Sequence, residues 1–182
     1  RRLPEAAGEW LTGQGGPMLS VVIPAYNEAD ELPVTLDTLH TGLKVLAVAY
    51  EVIVVDNAST DATAAVAEAH GGRVVSEPHR QISRARNTGT GAARGDWLLF
   101  VDADTWPSPE LLAAAWQALD EGACGGGALL TMDGQAGALY HRGVAAWNRV
   151  ARRLKWAAGC FVFAHRQALE AVGGFDERLY AA

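Results

Sequence analysis

Short, nearly unbroken apolar runs alternate along this chain with segments whose apolar residues recur every three or four positions. Leu19 to Ile23 is the first run, a strand that the pattern ends at Pro24. Leu32, Leu36, Leu39 and Leu43 follow at helical spacing, behind Glu28, Asp30 and Glu31, an acidic first turn that suits the positive end of a helix. YEVIVVD (50–56) is a β-branched second strand, and DATAAVAEAHGG (61–72) an alanine-rich helix with a glycine pair at its C-cap. RVVS (73–76) reads as a third strand and residues 83–94 as a weakly amphipathic helix diluted by Gly89 and Gly91. WLLFVD (97–102) is the fourth strand. Ser108 then offers an N-cap, with Pro109 at the first helical position ahead of Leu111, Leu112, Ala115, Trp116 and Leu119.

Strands apolar almost throughout and alternating with helices predict an α/β fold, a mainly parallel sheet flanked by helices on both faces. Ligands of such sheets sit beyond the carboxyl ends of the strands. The first strand ends in PAYNE, the second in DNASTD and the fourth in DADT, so three of the four deliver polar or acidic residues to one edge.

Composition narrows the picture. A chain of 182 residues with 49% hydrophobic and 20% charged residues is long enough for a sizeable core and is not disordered in character. A net charge of −6 excludes a general nucleic-acid binder, which needs a basic face. Cys124 and Cys160 stand far apart without metal-ligand spacing and read as two buried free thiols. Neither a membrane-spanning run nor a signal peptide is visible, which places the chain in the cytoplasm as an expectation.

Asp102 and Asp104 are the central pair for chemistry. In an extended segment residues two apart point the same way, so both carboxylates face one ligand. Hard oxygen donors of this kind suit Mg²⁺ or Mn²⁺ completed by substrate phosphates, and a metal there would stabilise a diphosphate leaving group. The bland alternative is that Asp104 caps the turn into Thr105–Pro107.

The ordered set VVIPAYNE, VIVVDNASTD, ARNTGTGAARGDWLLFVDADT and AVGGFDE resembles family 2 glycosyltransferases of the GT-A fold, from about Leu19 to the end of the chain. That resemblance implies transfer of a sugar from a nucleotide-sugar donor, usually with inversion. Residues 1–17 show no sustained periodicity, end in Gly and Pro and read as a flexible arm, and the resemblance implies one GT-A domain over 18–182, whose 18–106 half binds the donor and whose 107–182 half faces the acceptor. Pro24, Ala25, Tyr26 and Glu28 would line the nucleoside pocket, with Glu28 near the ribose or base. Asp56 would accept from a base N–H, uracil in most relatives, which makes a UDP-sugar the expected donor. Asp102 would sit near ribose and metal, Ala103 would give a backbone contact, and Asp104 would ligate the Mn²⁺ or Mg²⁺ most directly. Arg86 and Asn87 occupy the A-R-N position, where Arg86 binds donor or pairs with a neighbouring acid, and Gln81 and Ser83 flank the same pocket. The family's general base follows the GGFDE-like segment and is expected just beyond Ala182. Asp176 and Glu177 instead read as turn-capping residues.

GTGAARG (89–95) imitates a dinucleotide-binding loop, but a strand follows it rather than precedes it, so the likeness is accidental. Residues 139–166 carry Arg142, Arg149, Arg152, Arg153, Lys155 and Arg166 with no acid. Trp147, Val150, Ala151 and Leu154 share one helical face there, for packing on the domain, and the cations mark either a solvated face or a contact with a membrane surface or lipid-linked phosphate. Such a contact would set the protein peripherally at the inner membrane face. Two alternatives remain at this point. One is a donor- or partner-binding module without transfer. The other is a sugar-phosphate nucleotidyltransferase, which PAYNEADEL disfavours because it holds no cation for a triphosphate.

Overall fold

Residues 18–129, 138–154 and 159–179 are described by the computed structural model. Its first strand, β1 (Met18–Ala25), is buried along most of its length and takes parallel partners on both sides. These are β2 (Ala49–Asp56) and β4 (Trp97–Val101), with β3 (Arg73–Ser76) parallel beyond β2. Pro24 does not end β1, which runs on to Ala25 in register with Asp56, so the edge of the sheet lies two residues further on than the pattern predicts. A proline forfeits one donor, a small loss at a strand end, and Ala25 keeps its carbonyl in use by accepting from the Asn57 N–H at 2.8 Å.

Helices α1 (Leu32–Leu46), α2 (Thr63–Ala69), α3 (Ile82–Ala92) and α4 (Pro109–Asp120) connect the strands. Ser108 caps α4 by accepting from the Leu111 N–H at 3.2 Å, and Gly71 takes the left-handed conformation (φ 81°) that closes α2. Glu28, Asp30 and Glu31 fall in the turn before α1 rather than in its first turn, which begins at Leu32 and Pro33.

Two further strands complete the sheet, β5 (Gly125–Gly127) and β6 (Phe161–His165), in the order β3-β2-β1-β4-β6-β5. β6 is antiparallel to both its neighbours, so the sheet is mixed, and Phe161 pairs with Val101 at the edge that carries the acids. α5 (Ala138–Leu154) lies between these strands in sequence, and α6 (Arg166–Ala171) follows them.

Alternate residues of each central strand feed two cores, which is why the strands read as continuous apolar runs. Val21, Ile23, Val54 and Leu99 pack with Leu36, Leu39 and Leu112 of α1 and α4. Val22, Ile53, Val55, Leu98 and Phe100 pack with Ala85 of α3 and with Leu169 and Phe175. Gly89 lets α3 lie close on that second face, since a Cβ there would stand 2.3 Å from Val22 Cγ1 and 2.9 Å from Val55 Cγ2. Of the glycines that mimic a nucleotide loop, Gly89 inside the helix and Gly95 just after it are therefore packing residues, while Gly91 faces open space.

Two expectations about side chains change. Cys124 and Cys160 are free thiols as read, but half-buried rather than buried. In α5 the inward line runs through half-buried Val144 and Asn148 and buried Ala151, while Trp147 and Val150 are 44% and 46% exposed. Arg142, Arg149 and Arg153 are also exposed. Arg166 leaves the basic group altogether, because its guanidinium donates to the carbonyls of Thr90, Ala93 and Gly95 and closes the end of α3. The arm over 1–17, Lys155 and the side chains of Arg152 and Leu154 lie outside the described residues.

Candidate functional site

The edge formed by the ends of β1, β2 and β4 is built by two loops locked together. Asn27 stands in the left-handed region (φ 55°) and its side chain accepts from the Thr60 N–H at 2.8 Å, while its own N–H donates to Ser59 Oγ at 3.0 Å. Beside them the Glu28 N–H donates to Thr63 Oγ1 and the Ala29 N–H to Asp61 Oδ2. Asp56 Oδ1 accepts from the Ser59 N–H at 3.1 Å, which leaves its second oxygen free of hydrogen bonds from the described residues. These bonds use the polar side chains of NASTD to shape the loops.

Asn57 is the residue that sequence reasoning passed over. It is 6% exposed and organises a third loop, with Nδ2 donating to the carbonyls of Glu77 and His79 and Oδ1 accepting from the Gln81 N–H. Its position after a strand-end aspartate was visible, but its partners are 20 to 24 residues away. Arg80 in that loop stacks on Tyr26, 4.1 Å from the ring centroid.

On the β4 side, Asp102 is half-buried and its Oδ1 accepts from Arg86 at 2.9 Å, a guanidinium only 2% exposed. Arg86 also donates to the Gly159 carbonyl at 2.9 Å, and the Asp102 N–H donates to the Cys160 carbonyl at 3.1 Å. Of the two options for Arg86, pairing with an acid is what the geometry displays. Ala103 is buried, its carbonyl held by Thr35 Oγ1 at 2.6 Å, and this fixes the backbone between the two aspartates. Asp104 is exposed and accepts no hydrogen bond from a described residue, so it does not cap the turn. The Thr105 N–H bonds the Asp102 carbonyl instead.

Charge accumulates here. Burial raises the Glu28 carboxyl above its ordinary range, and Asp104, Glu31, Asp61 and Asp102 raise it further. Burial likewise raises Asp102, with Arg86 pulling the other way, and raises the Cys160 thiol, helped by Asp102. Glu28 therefore senses the field of both aspartates, although it stands 74 residues before Asp102 in the chain. Among the described residues no group of three or more His, Cys, Asp and Glu forms a metal cage.

Gln81 and Ser83 sit at the N-terminal end of α3 with their polar atoms engaged. Gln81 Nε2 donates to the carbonyls of Glu177 and Leu179, and Ser83 Oγ to that of Leu179. Asn87 pairs with Phe175 through both backbone groups, at 3.0 and 2.9 Å. Asp176 closes its turn by accepting from the Arg178 N–H, as read from the sequence, whereas Glu177 accepts from Asn87 Nδ2.

Comparison with known proteins bears on the chain and its fold as a whole. The sequence signature of "Glycosyl transferase family 2" matches residues 20–169. An uncharacterized glycosyltransferase of Mycobacterium tuberculosis is 39% identical over 89 residues, 49% of this chain and 38% of that protein. The human dolichyl-phosphate beta-glucosyltransferase is 39% identical over 99 residues, 47% of this chain and 31% of that protein. Among solved structures, a Pyrobaculum calidifontis mannosyltransferase in complex with GDP-Man and Mn²⁺ superposes with a TM-score of 0.68 at 27% identity, over 95% of this chain and 54% of that one. The chain thus spans about half the length of that structure and about a third of the two sequence relatives.

Proposed function

The chain belongs to glycosyl transferase family 2, and from that premise we propose that it holds a nucleotide-sugar donor, a UDP-sugar first among them, at the β1–β2–β4 edge for inverting transfer to an acceptor hydroxyl or phosphate. One observation carries this reading: Glu28, Asp102 and Asp104 converge on one edge, close enough that the two aspartates add to the rise of the Glu28 carboxyl, with Asp56 ending the adjoining strand. A fold without an anionic ligand and a cation to bridge it gains nothing from that repulsion.

The donor set fits a divalent metal shared with a diphosphate rather than a prebuilt cage. Mg²⁺ and Mn²⁺ are commonly held by one or two carboxylates with phosphates and water completing the shell. Asp104 presents an exposed carboxylate, and Asp102 keeps one oxygen free of bonds from the described residues while Arg86 holds the other. When bound there, the ion would neutralise the diphosphate and stabilise it as a leaving group. Pro24, Ala25 and Tyr26 line the nucleoside side in this reading, Glu28 takes the ribose, Asp56 accepts from the base N–H, and Ala103 offers its backbone N–H. Arg86 holds Asp102 in place, and Gln81 and Ser83 support the rim by fastening the 175–179 segment.

The acceptor is assigned to the lipid-linked phosphate class. Support comes from the exposed arginines of α5 and from relatives named as dolichyl-phosphate and undecaprenyl-phosphate transferases. In this reading α5 rests on an anionic membrane surface, and no helix among the described residues is long and apolar enough to cross one. Calorimetric titration of UDP and GDP, with and without Mn²⁺, tests the donor site. Metal-dependent binding that disappears in Asp104→Ala is expected. Equal binding with and without metal, unchanged in the variant, would dismiss the metal and diphosphate assignment.

A further inference from the structure

Past Asp104 the chain stays at the edge. The Asp102 N–H donates to the Cys160 carbonyl at 3.1 Å, and the Thr105 side chain hydrogen-bonds the Cys160 thiol. The segment beyond the acids is thus held against the residue that leads into β6. Trp106 comes next, 44% exposed between half-buried Thr105 and buried Pro107. It makes no hydrogen bond or ring contact with a described residue, whereas Trp97 and Trp116 pack on each other with ring centroids 4.3 Å apart. A lone exposed tryptophan is ordinary on a protein surface. This one is tethered on both sides. A residue before proline is confined to extended backbone, Pro107 is buried, and Ser108 is already engaged in capping α4.

Across the edge, Asp56 ends β2, Glu28 lies just beyond β1, and Asp102 and Asp104 lie beyond β4, with β6 and β5 next in order. β4 and β5 are both antiparallel to β6 and so end at the same edge, where Leu129, just past β5, is 36% exposed. A nucleotide-sugar is a linear molecule of base, ribose, diphosphate and sugar. With its nucleoside over β2 and β1 and its diphosphate at Asp104, its sugar falls on the β6 side, the side of Trp106. A pyranose presents a face of C–H bonds rimmed by hydroxyls. An indole offers a flat apolar surface to the face and an N–H donor to the rim.

Resting on the donor-site reading above, we propose that Trp106 is the stacking platform for the transferred pyranose and so determines which sugars the site holds. The nucleoside diphosphate is bound without it. Sugar choice then belongs to the β4–β6 side of the edge and is separable from nucleotide binding.

Titrating UDP, GDP, UDP-glucose, UDP-galactose, UDP-N-acetylglucosamine and GDP-mannose with Mn²⁺ against the unaltered chain, Trp106→Ala and Trp106→Phe tests the assignment. Trp106→Ala should weaken the best-bound nucleotide-sugar by about tenfold, the scale of one aromatic stacking contact. The matching nucleoside diphosphate should bind as before, at an unchanged melting temperature. Trp106→Phe keeps a ring and should restore most of the affinity. Equal losses for nucleotide-sugar and nucleoside diphosphate would overturn the proposal, because the indole would then serve the diphosphate or the fold. Undiminished nucleotide-sugar binding in Trp106→Ala would overturn it as well. Failure of both UDP and GDP to bind the unaltered chain would remove the donor site and the platform with it, a result distinct from either.

Discussion

At the scale of single residues, Glu28 and Asp102 show what the edge costs the ligand-free fold. Both carboxyls ionise at higher pH in the folded chain than in the unfolded one. The folded state therefore holds more protons across that interval, and its stability falls as pH rises through it. Asp104 is one cause of both shifts, so Asp104→Asn should unfold about 1–2 °C higher at neutral pH while losing metal-dependent nucleotide binding. A thermal melt of both chains at pH 5 and pH 7.5 checks this, with the gain expected at the higher pH and reduced at the lower. A variant less stable than the parent at both would mean that Asp104 supports the fold instead of straining it.

At the scale of elements, legibility followed the range of the interactions. β1, β2, β4 and α4 were readable because their signals are local: an apolar run, or Ser108 before Pro109. β5 was not, since Gly125–Gly127 has no side chains to declare a strand and gains its place by pairing with β6. The acids at the strand ends were legible as site candidates, whereas Asn57 and Arg80 act through partners distant in sequence. Gly89 looked like a flaw in a helix and is a point of close contact with β1 and β2. Gly89→Ala forces a methyl against two valines, and overpacking of that kind costs about 1–3 kcal/mol. Chemical denaturation should show the loss as a lower midpoint at the same slope, while Gly91→Ala, with nothing within 4 Å of its Cβ position, should be neutral or stabilising.

At the scale of the whole molecule, a chain of net charge −6 concentrates exposed arginines on one helix beside an exposed Trp147 and Val150. Each arginine near an anionic bilayer is worth about 1 kcal/mol, so Arg142, Arg149 and Arg153 together amount to roughly a hundredfold in partitioning. Vesicles containing phosphatidylserine should sediment the chain at low salt and release it at high salt, and changing the three arginines to glutamate should abolish the effect. Equal sedimentation with purely zwitterionic vesicles would count against an electrostatic surface. The two halves of the sequence meet along α3, whose Gln81, Ser83 and Asn87 grip residues 175–179 chiefly by backbone carbonyls and one amide. A grip on peptide groups is blind to side-chain identity. Phe175, packed in the second core, and Glu177, held by Asn87 and Arg84, are the exceptions. Substitutions at Arg178 and Leu179 can accumulate without loosening the join, so a lineage can alter what the second half meets while inheriting the acidic edge unchanged.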